Sequence, residues 1–227
     1  MNRTTIEAVM VGTVEPFGPN GEPSAIRKQP VDGPVMLGPA GLAGDEQAYH
    51  THGGVDKALL HHAAEHYEMW AKHFPNFGLT RGGFGENIFT RGMTEETVCL
   101  GDRYRIGEDV VVEVSQPRQP CWKLGYNAQQ REIPPLMQER AVTGWYYRVL
   151  TPGAIHAGAT MELIERTTPD WTLARLITAF YGTPLDAAFL EEAVRLDVLR
   201  GEWREVVENR LSTGVVEDWN ERMYGDL

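Results

Sequence analysis

The run Ser115-Gln116-Pro117-Arg118-Gln119-Pro120-Cys121-Trp122-Lys123-Leu124-Gly125 sets one thiol between two cations. The thiolate is the nucleophilic and metal-binding form of cysteine, and nearby cations favour it. No Asp or Glu occurs between Glu113 and Glu132, whereas Arg118, Lys123 and Arg131 do, so the run is a positive island in a chain of net charge −11. Two prolines fix φ and remove two backbone donors. They also push Gln116 and Gln119 toward extended conformations. The expectation is a stiff, non-helical loop ending in Cys121. A lone cysteine is otherwise a small buried hydrophobe. Cys99, in Thr97-Val98-Cys99-Leu100 with no charge beside it, fits that plain reading.

A second constellation lies upstream, in His50-Thr51-His52-Gly53-Gly54-Val55-Asp56-Lys57-Ala58. Adjacent glycines permit positive φ or close backbone approach. With His52 and Lys57 beside them, Gly53 and Gly54 could present N–H groups to an anion, although a plain tight turn explains the pair equally. Six of the seven histidines fall between His50 and His73. His62-Ala63-Ala64-Glu65-His66 matches H-x-x-E-H, a zinc-peptidase pattern when both histidines share a helix face. The pattern starts where a strand hands over to a helix, and no third ligand is evident. Cys121 paired with His52 or His61 would suit a Cys–His hydrolase, but the expected absence of a helix start after the cysteine weakens that choice. A transition metal brought by a non-protein chelate would need one soft thiolate, cations for an anionic group and glycine backbone for close approach. Cys121, Arg118, Lys123, Lys57 and Gly53-Gly54 could supply all three.

Short strands with frequent glycine turns position these residues. Strands are expected at 6–14, 24–27, 35–37, 58–61, after Gly85, and at 97–100, 103–106, 110–114, 144–150 and 160–166, and the pattern suggests a closed or partly closed barrel. Residues 63–74 read as a helix ended by Pro75, and 132–140 as another. After the linker Thr167-Thr168-Pro169-Asp170, where Asp170 is a cap candidate, three amphipathic helices follow. From Asp170 onward the chain has twelve acids, six arginines and no lysine, cysteine or histidine, so this segment reads as packing or recruiting without chemistry. The division expected is a barrel domain over 1–166 and a helical segment over 170–227. A length of 227 residues with 42% hydrophobic content suits one large domain with a small appendage. No apolar run of membrane-spanning length or signal core is present. The acidic balance argues against nucleic acid, and two dissimilar cysteines argue for a reducing, cytoplasmic setting.

Four motifs, His52-Gly53-Gly54-x-Asp56-Lys57-Ala58, Gly83-Phe84-Gly85-Glu86-Asn87-Ile88, Leu100-Gly101-Asp102 and Ser115-Gln116-Pro117-Arg118-x-Pro120-Cys121-x-Lys123-Leu124, occur in order. Together they resemble a MOSC domain of the YiiM type, and the likeness covers nearly the whole chain. The resemblance implies a mainly β fold, a MOSC-type β-barrel with helical insertions and a C-terminal three-helix segment. It implies a molybdenum cofactor in its molybdopterin form, with Cys121 as metal ligand and catalytic centre. It implies reduction of N-hydroxylated compounds, such as hydroxylaminopurines and hydroxylamines, to amines. By motif position, Arg118, Lys123, His52 and Asn87 are expected at the cofactor, beside Gly53, Gly54 and Lys57. Glu86, Asp56 or a histidine would pass protons. Two cysteines cannot hold a Cys₄ iron–sulfur cluster, and no G-x-G-x-x-G fingerprint appears, so electrons are expected from a separate reductase. No membrane partner is expected, and a homodimer stays open. The alternative is a non-catalytic carrier of the cofactor or of sulfur.

Overall fold

The computed structural model describes residues 3–49 and 52–225; His50 and Thr51 of the second constellation lie outside them. The strands are β1 (Arg3–Val11), β2 (Glu15–Phe17), β3 (Glu22–Ser24), β4 (Gln29–Pro30), β5 (Val35–Gly38), β6 (Gly41–Leu42), β7 (Leu59–Ala63), β8 (Ile88–Thr90), β9 (Arg103–Ile106), β10 (Val110–Pro117), β11 (Trp145–Thr151), β12 (Gly153–Ile155) and β13 (Thr160–Glu165). The helices are α1 (Ala64–His73), α2 (Trp122–Ala128), α3 (Ile133–Glu139), α4 (Leu173–Gly182), α5 (Ala187–Ala193), α6 (Gly201–Thr213) and α7 (Asn220–Tyr224).

Seven strands close into a barrel in the order β13-β9-β10-β11-β7-β8-β1, with β1 pairing back onto β13. Closure leaves no long unpaired edge. The one parallel neighbour pair, β7 with β8, is the pair joined through α1, since parallel strands need a crossover connection. In β10, the β-branched Val110, Val112 and Val114 are all buried in the barrel core, as the period of two requires. The pairing of β10 with β11 slips between Val114 and Gln116. Such bulges bend a strand and re-aim its later residues. Here Ser115 is left over, and its hydroxyl donates to the Asp56 carbonyl at 2.6 Å.

Two apolar clusters hold the molecule. One fills the barrel with Ile6, Leu59, Ile88, Tyr104, Trp145, Tyr147 and Met161 and continues into the tail through Trp171, Leu176, Phe180 and Trp203. The other packs α1, α2 and α3 outside the barrel, around Met10, Tyr67, Trp70, Phe84, Leu124 and Met137. Fully burying one large apolar side chain contributes about 1.5–3 kcal/mol, so the shared cluster ties barrel and tail together.

Several expectations change. Residues 97–100 form a turn with a single bridge from Cys99 to Thr172, because the Asp102 carboxylate takes the Cys99 N–H at 2.9 Å in place of a ladder partner. The first strand ends at Val11, one residue before Gly12, where a side chain would meet the Ala25 carbonyl at 2.8 Å. The cap of α4 is Thr172, whose hydroxyl accepts the Arg175 N–H at 3.2 Å, and not Asp170. The three helices expected of the tail are α4, α5 and α6, and among the described residues one further short helix, α7, follows them.

Candidate functional site

A cleft of about 600 Å³ opens beside the end of β10. Cys121, Arg118, Lys123, His52, Lys57 and Asn87 all line it. Gly53 and Gly54 do not. Gly53 packs against the Gln47 side chain, and Gly54, at φ +98, precedes a turn over Val55–Lys57. The anion cradle expected of that glycine pair is therefore a turn.

Cys121 is half-buried, unpaired with Cys99 and solvent-facing in the cleft. It is the N-cap residue of α2, in extended conformation at φ −133 and ψ 165. The loop ending in Cys121 is non-helical as expected, but a helix starts directly after it, against the expectation that none would. The prolines act only up to Cys121, and the helix starts at Trp122. Gly125 does not break α2, because its missing side chain lets the chain after the helix pass close. A Cβ there would meet the Gln130 carbonyl at 3.0 Å and Pro134 Cδ at 3.2 Å. Cys99, in contrast, is fully buried, and burial with the nearby Asp102 pushes its thiol up to about 11.

Four cations line the barrel side of the cleft, in two electrostatic conditions. Lys28 is bonded to Asp45, and Lys57 to Glu202 at 2.6 Å. Arg118 donates to the Phe84 carbonyl at 2.6 Å, and Lys123 to the Pro23 carbonyl at 2.8 Å. Among the described residues no carboxylate lies within ion-pair distance of Arg118 or Lys123. Lys123 also sits over the Tyr49 ring at 4.5 Å, and burial lowers its pKa. Burial likewise lowers that of Lys28, against the pull of Asp45. Two buried cations with only neutral partners are costly unless an anion joins them.

The motif carboxylate Glu86 is fully buried and off the cleft. It accepts from Tyr67 Oη at 2.7 Å, Gly82 N–H at 2.7 Å and Phe84 N–H at 3.2 Å. It thereby fixes the loop whose Phe84 carbonyl holds Arg118. Burial raises the Glu86 pKa, offset in part by those donors. Asn87 faces the cleft, but its amide is engaged with Asp45 Oδ2 at 2.8 Å, the Met10 carbonyl at 3.2 Å and the Leu60 N–H at 3.0 Å. Its service is to the scaffold. Asp56 is bonded to Arg148 at 2.7 Å and, like Glu86, is not among the cleft residues.

The histidines separate by burial. His52 meets the cleft and solvent; desolvation, then Arg118, Lys123 and Lys57, hold it down at about 4, so it is neutral near pH 7. His61 is fully buried between Tyr147 Oη at 2.9 Å and Thr90 Oγ1 at 2.8 Å, off the cleft, which removes one of the two partners considered for a Cys–His pair. His62 lies on β7 and His66 on α1, so the H-x-x-E-H residues do not share a helix face. His66 is committed to Glu95 at 2.6 Å. Among the described residues no group of three His, Cys, Asp or Glu could hold a metal ion.

Sequence reasoning missed part of the cleft. The ion pair of Lys28 and Asp45, and the tail residues Glu202, Asp218, Glu221 and Arg222, all line it. Lys28 carried a signal, being one of four lysines in the chain. The tail residues carried none, and the segment expected to pack or recruit also lines the cleft.

The sequence model of the MOSC domain matches residues 48–162, and that of the YiiM-like, 3-alpha helix domain matches residues 171–214. The chain is 39% identical to Protein YiiM of Escherichia coli (strain K12) over 220 residues, which is 96% of this chain and 97% of that protein. It is 36% identical over 191 residues to a protein named Reductase from Gibberella moniliformis, spanning 83% of this chain but 34% of that longer protein. The crystal structure of YiiM from Escherichia coli superposes with a TM-score of 0.82 at 33% identity, covering 98% of this chain and 99% of that one.

Proposed function

The chain belongs to the MOSC-domain family with a YiiM-like helical extension, and from that premise we propose that it is a molybdenum-cofactor oxidoreductase that reduces N-hydroxylated compounds to amines. The observation that carries this reading is a half-buried thiol, Cys121, flanked by two cations, Arg118 and Lys123, whose side-chain hydrogen-bond acceptors among the described residues are neutral carbonyls. A cofactor with a thiolate-seeking metal at one end and phosphate at the other fits that set. The cleft, about 600 Å³, lies in the range of small-molecule sites.

Cys121 would ligate the metal, and Arg118 and Lys123 would hold the anionic end. The bound group supplies two-electron redox chemistry. The net reaction is R–NH–OH + 2e⁻ + 2H⁺ → R–NH₂ + H₂O. Asn87 and Glu86 keep the floor rigid rather than touching the substrate. His52, neutral and cleft-facing, is the histidine placed to exchange protons with a substrate. Electrons would come from a separate reductase, because two cysteines cannot hold a Cys₄ iron–sulfur cluster and the chain has no G-x-G-x-x-G fingerprint.

The test is metal analysis of protein from a molybdate-fed, cofactor-competent host, with turnover of an N-hydroxylated purine driven by reduced viologen. Near-stoichiometric molybdenum and turnover, both lost in Cys121→Ser, are expected. Molybdenum without turnover on any N-hydroxyl substrate would leave the carrier alternative. Full activity in Cys121→Ser would overturn the ligand assignment.

A further inference from the structure

The match to the helical-domain family ends at residue 214. Beyond it, residues 215–225 run back from the helical tail to the thiol. Arg210, almost fully buried, holds Glu217 through two hydrogen bonds, at 2.7 and 3.0 Å. Trp219 then packs edge-on against Tyr181 of α4, with ring centroids 5.2 Å apart, and its indole N–H donates to Glu217 at 2.8 Å. With the segment anchored this way, α7 is delivered to the cysteine loop. The Arg222 guanidinium donates to the carbonyl of Pro120, the residue before Cys121, and to Gln138 Oε1 of α3 at 3.1 Å. On the other side of the thiol, Gly225 lies against the ring of Trp122, the residue after Cys121. A Cβ at Gly225 would stand 3.1 Å from that ring. Arg222 and Gly225 also line the cleft.

We propose that α7 is a clamp on the thiol loop, with Arg222 as the positioning residue that fixes Cys121 at the cleft wall. Both neighbours of the cysteine are held by this one short helix and its C-cap glycine. One guanidinium nitrogen, Arg222 Nη1, reaches both acceptors and so ties two elements, the loop and α3. Lysine keeps a charged donor but carries it on a stem of different length and shape, so it restores these contacts only in part. The opposite side of the loop is already secured, by Lys123 on the Pro23 carbonyl and by Phe17 of the β2–β3 hairpin against Trp122 at 6.3 Å. Cys121 therefore sits between a hairpin fixed to the barrel and a strap fixed to the helical tail. The tail thus has a task at the site, which is to keep Cys121 in one position at the cleft wall. The inference rests on Cys121 being the working thiol, but it does not need a bound cofactor.

The test compares alkylation of Cys121 in the full chain by a small reagent, iodoacetamide, and by a bulky aromatic maleimide, with the modified residue mapped by mass spectrometry to separate it from Cys99. The variants are Arg222→Ala, Arg222→Lys and Gly225→Ala, the last forcing a Cβ against Trp122 from the other side. A local opening that has lost one hydrogen bond to a charged donor is populated roughly tenfold more. The bulky reagent should therefore react roughly tenfold faster in Arg222→Ala and in Gly225→Ala, the small one less than about twofold faster, with partial rescue in Arg222→Lys. In cofactor-loaded protein, kcat should fall in Arg222→Ala with molybdenum content retained. Unchanged maleimide rates in folded Arg222→Ala and Gly225→Ala would overturn the clamp. A wild-type holoprotein without turnover would instead count against the reductase reading and leave the alkylation result standing.

Discussion

Replacing Arg118 by Met separates a binding cation from a structural one. The guanidinium is 8% exposed and gives one hydrogen bond, to the Phe84 carbonyl at 2.6 Å. Losing a hydrogen bond from a charged donor costs about 1.5–3 kcal/mol. Against that stands the relief of a buried, unpaired cation, whose desolvation penalty is of order several kcal/mol, and of its repulsion of Lys28 and His52. The backbone bond from Arg118 N–H to the Gly144 carbonyl, 2.9 Å, survives the change. The terms nearly cancel, so unfolding of the cofactor-free variant in urea should shift by no more than about 1 kcal/mol. Binding should behave differently. An anionic ligand that loses one charged hydrogen bond binds about 10- to 100-fold more weakly, read as molybdenum retained after extensive dialysis. The His52 titration, followed by NMR, should move up from about 4 toward the ordinary histidine value, because Arg118 is the largest cause of its depression after burial. A cofactor-free variant destabilised by more than about 3 kcal/mol, or one that loads like wild type, would show that Arg118 is scaffold and refute the reasoning.

Two further perturbations probe the buried groups around the site. Glu86→Ala strands Tyr67 Oη and the Gly82 and Phe84 N–H groups, so urea unfolding should register a loss of about 2–4 kcal/mol; a loss under about 1 kcal/mol would mean the loop is held otherwise. His61, fully buried, is held at about 3 chiefly by desolvation. As pH falls below its unfolded value the unfolded chain binds a proton that the folded chain refuses, so stability present above pH 6.5 drains away toward pH 3. Between about pH 6.5 and 5 this slope removes about 2 kcal/mol, and His61→Gln, which keeps an amide between Tyr147 and Thr90, should remove that part of the slope. An unchanged slope in the variant would place the acid sensitivity elsewhere.

The barrel was legible because β-branched runs such as Val110–Val114 alternate between glycine turns, and α1 because His66, Met69, Trp70 and His73 recur at helical spacing. What stayed hidden had local signals that pointed elsewhere. Gly125 and two prolines advertise a loop, yet the prolines end before α2, and the glycine serves the close passage of residues 130–134. Gly53-Gly54 signals backbone freedom without direction, and the freedom is spent on a turn. The five residues of α7 are too few to show a period. At the site, motif positions marked Arg118, Lys123, His52 and Lys57 as cleft residues. Which cations are neutralised could not be read in the same way, because it depends on contacts far apart in the chain. Lys57 meets Glu202 across 145 positions, whereas Arg118 and Lys123 find only carbonyls.

That distinction also bears on whether the cleft serves a phosphate-bearing cofactor, in an enzyme or a cofactor carrier, or only carries sulfur. A carrier needs a reachable thiol and a cation near enough to favour its thiolate. Cys121 is reachable from the cleft, and Lys123 lines the same cleft. A second unpaired cation, Arg118, is then an unexplained cost. It is held by a loop that is itself fixed by a fully buried carboxylate, Glu86. Costs of this kind persist in proteins where function requires them. A phosphate-bearing ligand several ångströms longer than a persulfide accounts for the second cation, for the roughly 600 Å³ cleft and for the wall supplied by the tail, all with one occupant.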